Sequence, residues 1–262
     1  MNPPQDIPTH VAPAVARYTD AVVKRLQAVL GDALLGVYLI GSNSLGGYEA
    51  GPSDIDLIAI CARPVELATK EALARELDHR ALPCPARGLE FVLYPKDTVS
   101  RPTPSPRFEL NLNTGAGMGH RFTVRPEDES PHWFVIDLDI ARQHGVRLAG
   151  PPANELLAPQ DKRWVLDAIR TSLAWHSREE PASANNVLNA CRAWRYAEEG
   201  VWSTKLAAAT WARERLEEPS LIDAALATRR GQPGPALTPE AVHALVQRVL
   251  RVVERAMPRD NP

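Results

Sequence analysis

Residues 41–60 read GSNSLGGYEAGPSDIDLIAI, a loop rich in Gly and Ser followed by a branched apolar run that Asp54 and Asp56 interrupt. The run has the composition of a strand. On an extended chain two residues one position apart project to the same face, so both carboxylates share a side of the sheet. Like charges so placed repel unless a cation lies between them. In front of them Gly41 closes the preceding strand and Ser42 offers a hydroxyl, and successive backbone N–H groups beyond can form an anion-binding nest or open a short helix. Mg²⁺, which takes oxygen ligands and is commonly held by one or two carboxylates plus substrate phosphates, suits such a pairing. The aspartates alone equally allow a structural reading in which Asp54 turns the loop and Asp56 pairs with an arginine. Glu90 shifts that balance. It stands in GLEFVLY between apolar neighbours, where a charge without a partner is costly. If its strand lies beside that of Asp56, three carboxylates meet, enough to hold one or two divalent ions and to take a proton from an attacking hydroxyl.

Working outward, Val15, Tyr18, Val22, Val23, Leu26, Val29 and Leu30 recur at helical spacing, and Gly31-Asp32 ends that helix. LLGVYLIGS (34–42) and DIDLIAICA (54–62) predict two strands with a long connection, PVELATKEALARELDHR (64–80) a helix with Pro64 near its first turn, and LEFVLYPK (89–96) a third strand. This order points to an α/β (α+β) domain with a small mixed sheet. Between Pro95 and Pro131, Pro, Gly and Asn interrupt every apolar run, and the stretch reads as a long loop, functional or disordered. HWFVIDLDIARQHG (132–145) predicts a helix ending at Gly145, and VRLAGPPANELLAP (146–159) a hinge. The second D-x-D, Asp137 and Asp139, falls in this helix, where the two do not share a face. The domain break is placed near residue 150, giving domains 1–150 and 151–262. The second is an all-α bundle of about five helices, with Thr238 and Pro239 as N-cap and N1 of the last and Gly200 as a C-terminal stop.

A formal charge of −2 over 262 residues lacks the basic excess of a nucleic-acid binder. Cys61, Cys84 and Cys191 lie far apart with no C-x-x-C spacing, which fits a reducing cytoplasm. The stretch MNPPQDIPTHVAPAV shows no basic region followed by an apolar run, and no run of about 18 apolar residues occurs, so neither export nor a membrane span is expected. The seven histidines have no zinc-ligand spacing, and no G-x-S-x-G elbow surrounds Ser42. Trp164, Trp175, Trp194, Trp202 and Trp211, at helical positions, read as core.

The order Gly41-Ser42, a spacer, Asp54-x-Asp56 and a third acid on a later strand resembles the active-site pattern of the DNA polymerase β-like nucleotidyltransferase superfamily. NNVLNACRAWRYAEEGVWSTKLAAATWARERL, with RGLEFVLY and DLDIARQHGVRLAGPP, is similar to the streptomycin- and spectinomycin-directed aminoglycoside O-adenylyltransferases over nearly the whole chain. The resemblance implies Mg²⁺-dependent transfer of AMP from ATP to an antibiotic hydroxyl, with pyrophosphate leaving. It implies that Asp54, Asp56 and Glu90 hold the metal, that Glu90 is the base, and that Gly41, Ser42 and Ser53 contact the triphosphate. Arg192 and Lys205 match basic positions that approach the nucleotide from the second domain; on the residues alone they are equally solvated surface charges. It further implies the aminoglycoside or aminocyclitol between the domains, where Glu109, Asp137, Glu179 or Glu180 are candidates to meet its ammonium groups, although acids at such places are more often solvated surface charges; a monomer is expected.

Two departures stand out beside a Ser42-to-Asp54 spacer one residue longer than the pattern. Where enzymes acting on streptomycin carry a Trp and an acid, this chain has Gly115 and Ala182, which favours spectinomycin. Other readings are an enzyme that adenylylates another metabolite or a protein, and a regulatory module that binds nucleotide without catalysis; keeping Glu90 argues against the last.

Overall fold

A computed structural model describes residues 8–258; residues 1–7, on which the expectation of no leader partly rests, lie outside them. The chain divides into two compact units, 1–160 and 161–262.

The first unit runs α1 (Pro13–Leu30), β1 (Leu34–Leu39), α2 (Gly41–Ser44), β2 (Ile55–Cys61), α3 (Leu67–Leu77), β3 (Leu89–Pro95), α4 (Lys96–Ser100), β4 (Leu110–Gly115), β5 (Met118–Thr123), α5 (His132–His144), β6 (Val146–Ala149) and α6 (Ala153–Leu156). The strands form one six-stranded sheet in the order β5-β4-β3-β2-β1-β6. Only β2 and β3 run parallel, joined through α3; β1 pairs antiparallel with β2 and β6, and β4 with β3 and β5.

Both faces of the central strands are covered. Val37, Leu39, Leu57, Ala59, Phe91 and Leu93 pack with Val15, Val22 and Leu26 of α1 and Leu73 and Leu77 of α3. The alternate residues Tyr38, Ile58, Ile60, Val92 and Tyr94 pack with Phe134 and Leu138 of α5. A strand buried on both faces reads as an unbroken apolar run, which is why β2 and β3 stand out in the sequence. The helix expected over 64–80 starts later, at Leu67 with Glu66 as N-cap, leaving Pro64 ahead of its first turn.

Two expectations are corrected. The supposed loop 95–131 contains α4 and the β4–β5 hairpin, which extends the sheet beyond β3. β5 is an edge strand carrying His120 and Arg121, mostly exposed, so its apolar alternation is weak. Likewise the supposed hinge 146–159 supplies β6, while residues 151–160 pack with the first unit. Tyr38 Oη donates to the Pro151 carbonyl at 2.8 Å, the Ala158 N–H donates to the Val99 carbonyl at 2.9 Å, and Ala153 and Leu157 join the core beside α5.

The second unit holds α7 (Lys162–Glu179), α8 (Ala184–Glu199), α9 (Lys205–Arg213), α10 (Ser220–Arg229) and α11 (Pro239–Ala256). Buried α8 packs against the other four. Helix ends follow from local chemistry: Asp161, Ser183, Thr204 and Thr238 accept first-turn N–H groups of α7, α8, α9 and α11, and Gly200 ends α8 in the left-handed region at φ 68°. Trp194 and Trp211 meet edge to face at 5.4 Å, and both are core residues, as is Trp202.

The cysteines are unpaired and buried, and burial pushes the Cys61 and Cys191 thiols up to about 12. No helix among the described residues is long and apolar enough to cross a membrane.

Candidate active site

The parallel register of β2 and β3 sets Asp56 directly opposite Glu90. Both lie on the face that carries Ile58, Ile60, Val92 and Tyr94, by the two-residue period of the strands. Asp54 lies one residue before β2 begins. One carboxylate oxygen from each of Asp54, Asp56 and Glu90 falls within 4.8 Å of the other two. Three hard anionic oxygens at this spacing, half-buried, are a donor set suited to Mg²⁺. Glu90 is not the buried acid its apolar neighbours suggest: its side chain is 42% exposed, because β3 begins at Leu89 and this end of the strand is open to solvent.

The loop is shaped to admit that cluster. Gly41, at φ 63°, lies so close to the Asp56 carboxylate that a Cβ there would overlap it, so only glycine both adopts this backbone and leaves the room. Asn43, buried, donates from Nδ2 to the Asp54 carbonyl at 3.2 Å and ties α2 to the start of β2. His10 Nε2 donates to the Asn43 carbonyl at 3.1 Å. Ser42 Oγ is buried and has no hydrogen-bond partner among the described residues. Ser53, also buried, accepts the Glu49 N–H on its Oγ at 3.0 Å, closing the loop and leaving its hydroxyl proton to donate.

Arg87 was not singled out in the sequence. Its Nη2 donates to Asp54 Oδ2 at 2.7 Å and lies 4.0 Å from Glu90 Oε1. The structural reading of the sequence paired Asp56 with an arginine; Arg87 pairs with Asp54. The Arg87 backbone is held on both sides: its N–H donates to the Ser53 carbonyl at 3.1 Å, and its carbonyl accepts the Gly117 N–H at 2.9 Å. At the β4–β5 turn a Cβ on Gly115 would collide with Gly88 Cα and the Arg87 carbonyl. Glycine at 115 thus has a packing reason of its own.

In the second unit the two basic candidates flank one polar network. Lys205 Nζ donates to Asn185 Oδ1 at 2.7 Å, and Asn185 Nδ2 donates to Glu180 Oε2 at 2.9 Å. Asn189 Nδ2 donates to His176 Nε2 at 3.0 Å, which leaves the proton on Nδ1, 3.2 Å from Glu180 Oε2. The Arg192 guanidinium lies 6.0 Å from the Trp202 ring. Burial pushes His176 below the ordinary imidazole range, Lys205 and Arg192 push the same way, and Glu180 opposes them. Burial raises the Glu180 carboxyl, but hydrogen bonds from Asn185, His176 and Ser183 outweigh it and hold the group low. Neither Arg192 nor Lys205 is a fully solvated surface charge; both are half-buried. The signal was present as Asn185-Asn186 and His176 in flanking helices, but nothing in their spacing joins them.

The acids expected to meet an amine divide. Glu109 is buried, pairs with Lys70 at 2.7 Å and accepts the Val65 N–H, so it is committed within the first unit. Glu179 pairs with Arg178 on the surface. Asp137 is half-buried on α5. Ala182 is exposed in the turn between α7 and α8.

The family "Aminoglycoside adenylyltransferase, C-terminal domain" matches residues 155–252. An aminoglycoside (3'') (9) adenylyltransferase of Klebsiella pneumoniae is 30% identical over 224 residues, 80% of this chain and 84% of that protein. The Rhizobium radiobacter protein of the same name is 31% identical over 186 residues, 66% of this chain and 68% of its own. Among solved structures, the spectinomycin adenyltransferase AAD(9) from Enterococcus faecialis, crystallised with ATP and spectinomycin, superposes with a TM-score of 0.68 at 18% identity, covering 91% of this chain and 98% of that one.

Proposed function

This chain belongs to the aminoglycoside (3'') (9) adenylyltransferase family, and from that membership we propose that it transfers AMP from ATP to a hydroxyl of an aminocyclitol antibiotic, spectinomycin in preference to streptomycin, and thereby confers resistance. The observation that carries the reading is the meeting of Asp54, Asp56 and Glu90 beside a loop with no side chain at Gly41.

Asp54, Asp56 and Glu90 would hold Mg²⁺, which when bound supplies neutralisation of the triphosphate charge and orientation of the departing pyrophosphate. Glu90, open to solvent on one side, takes the proton of the attacking hydroxyl. The hydroxyl oxygen bonds to the α-phosphorus, the bond from that phosphorus to the α,β-bridging oxygen breaks, and pyrophosphate carries the electron pair away. Ser42, whose Oγ has no protein partner among the described residues, and Ser53 donate to phosphate oxygens. Arg192 and Lys205 bring positive charge to the nucleotide, and the Asn185–Glu180 network holds the Lys205 ammonium in place. The preference for spectinomycin is supported by Gly115 and Ala182, which offer neither an indole nor a carboxylate.

Incubation with Mg-ATP and a panel containing spectinomycin and streptomycin, followed by pyrophosphate release and product mass, tests the reading. Addition of one AMP to spectinomycin is expected, together with a raised inhibitory concentration in cells that express the protein. ATP binding with no turnover on any member of the panel would refute it.

A further inference from the structure

Arg87 brings a positive charge into the carboxylate cluster, and the fold places it there. Main-chain bonds to Ser53 and Gly117 pin its backbone beside Asp54, while its side chain is 44% exposed and has solvent into which to withdraw. Three carboxylates with oxygens within 4.8 Å repel one another, and the guanidinium at 2.7 Å from Asp54 and 4.0 Å from Glu90 offsets part of that repulsion. A divalent ion held by Asp54 would face that same like charge.

We propose that Arg87 is a positioning residue that competes with the divalent ion for Asp54, so that the site takes bare metal weakly and metal with nucleotide strongly; this rests on the metal site proposed above. When metal arrives with a triphosphate, the guanidinium leaves Asp54 for a phosphate oxygen, and the charge that opposed the ion then pairs with its anionic companion. Metal and nucleotide affinities are thereby coupled, each raising the other by the same factor.

Mn²⁺ serves as the probe, titrated into the full chain and followed by electron paramagnetic resonance, with and without a non-hydrolysable ATP analogue. R87A and R87M should each bind Mn²⁺ alone more tightly than the parent by about three- to tenfold, the scale of removing one partly exposed charge. The gain should shrink at high salt. In both variants the enhancement of Mn²⁺ affinity by the analogue should fall by a similar factor, while R87K, which keeps the charge, stays near the parent. In EDTA the two neutral variants should melt below the parent, and Mn²⁺ should raise their melting temperatures by more than it raises the parent's. A substitution that merely damaged the fold would weaken metal binding, so tightening is diagnostic. Unchanged or weaker Mn²⁺ binding in both neutral variants overturns the proposal. Absence of Mn²⁺ binding in parent and variants alike, with the analogue present, overturns the metal site itself and the competition with it.

Discussion

Among single residues, the three acids carry different expectations although they lie within one cluster. Glu90→Gln keeps the shape and one oxygen that can face the metal but cannot accept the proton, so turnover should fall by about 10²-fold or more while Mg-ATP binding, carried by Asp54, Asp56 and the phosphate contacts, persists. Near-normal turnover would remove Glu90 from the base role. Asp54→Asn should instead weaken metal-dependent ATP binding, measured by calorimetry with Mg²⁺ and with EDTA; equal affinity in the parent under both conditions would contradict the assignment. The pattern Asp54-x-Asp56 with Glu90 was legible because Asp56 and Glu90 stand among apolar strand residues and Asp54 directly before them, where in the sequence a charge needs an explanation. Arg87 and Asn43 were not, because each side chain's target is set by the parallel pairing of β2 with β3 or by the seating of α2 on β2, and neither is a local property of the chain.

Among the elements, the site depends on two close backbone approaches. Gly41→Ala places a methyl against the Asp56 carboxylate and forces a left-handed φ on a residue with a Cβ. It should cost about 1–3 kcal/mol in urea unfolding and abolish metal-dependent nucleotide binding. Gly115→Val should displace the β4–β5 turn from Arg87 and Gly88. It should impair both stability and Mn²⁺ binding, whereas if Gly115 served only to accommodate substrate, its replacement would alter drug turnover and leave metal binding intact. α1 and α8 were readable from their helical apolar period, and β2 and β3, buried on both faces, from their unbroken apolar runs. β4, β5 and β6 were not: β5 is an exposed edge, β4 carries Asn111, Asn113 and Thr114, and β6 has four residues, so their pairing comes from neighbours distant in sequence.

Across the whole molecule, burial lowers both His176 and His144, so the unfolded chain binds more protons as the solution is acidified. Stability should therefore be fully present above the ordinary imidazole value, about 6.5, and be lost progressively as pH falls below it. Urea midpoints measured from about pH 8 to 5 should show this decline. His176→Gln should flatten part of it, and an unchanged slope would mean that His176 titrates as it does in the unfolded chain.

The α/β unit followed by five helices and the candidacy of Asp54, Asp56 and Glu90 were contained in local patterns, because apolar period, helix caps and a charge beside or inside a strand are properties of neighbours along the chain, whereas the class of chemistry came from resemblance to a family. The packing of residues 151–158 with the first unit, the hairpin that extends the sheet, the guanidinium set among the carboxylates and the network that holds Lys205 were settled by folding alone. Each depends on which residues far apart in sequence are brought within a few ångströms, and strand register and close backbone contact, not composition, determine that.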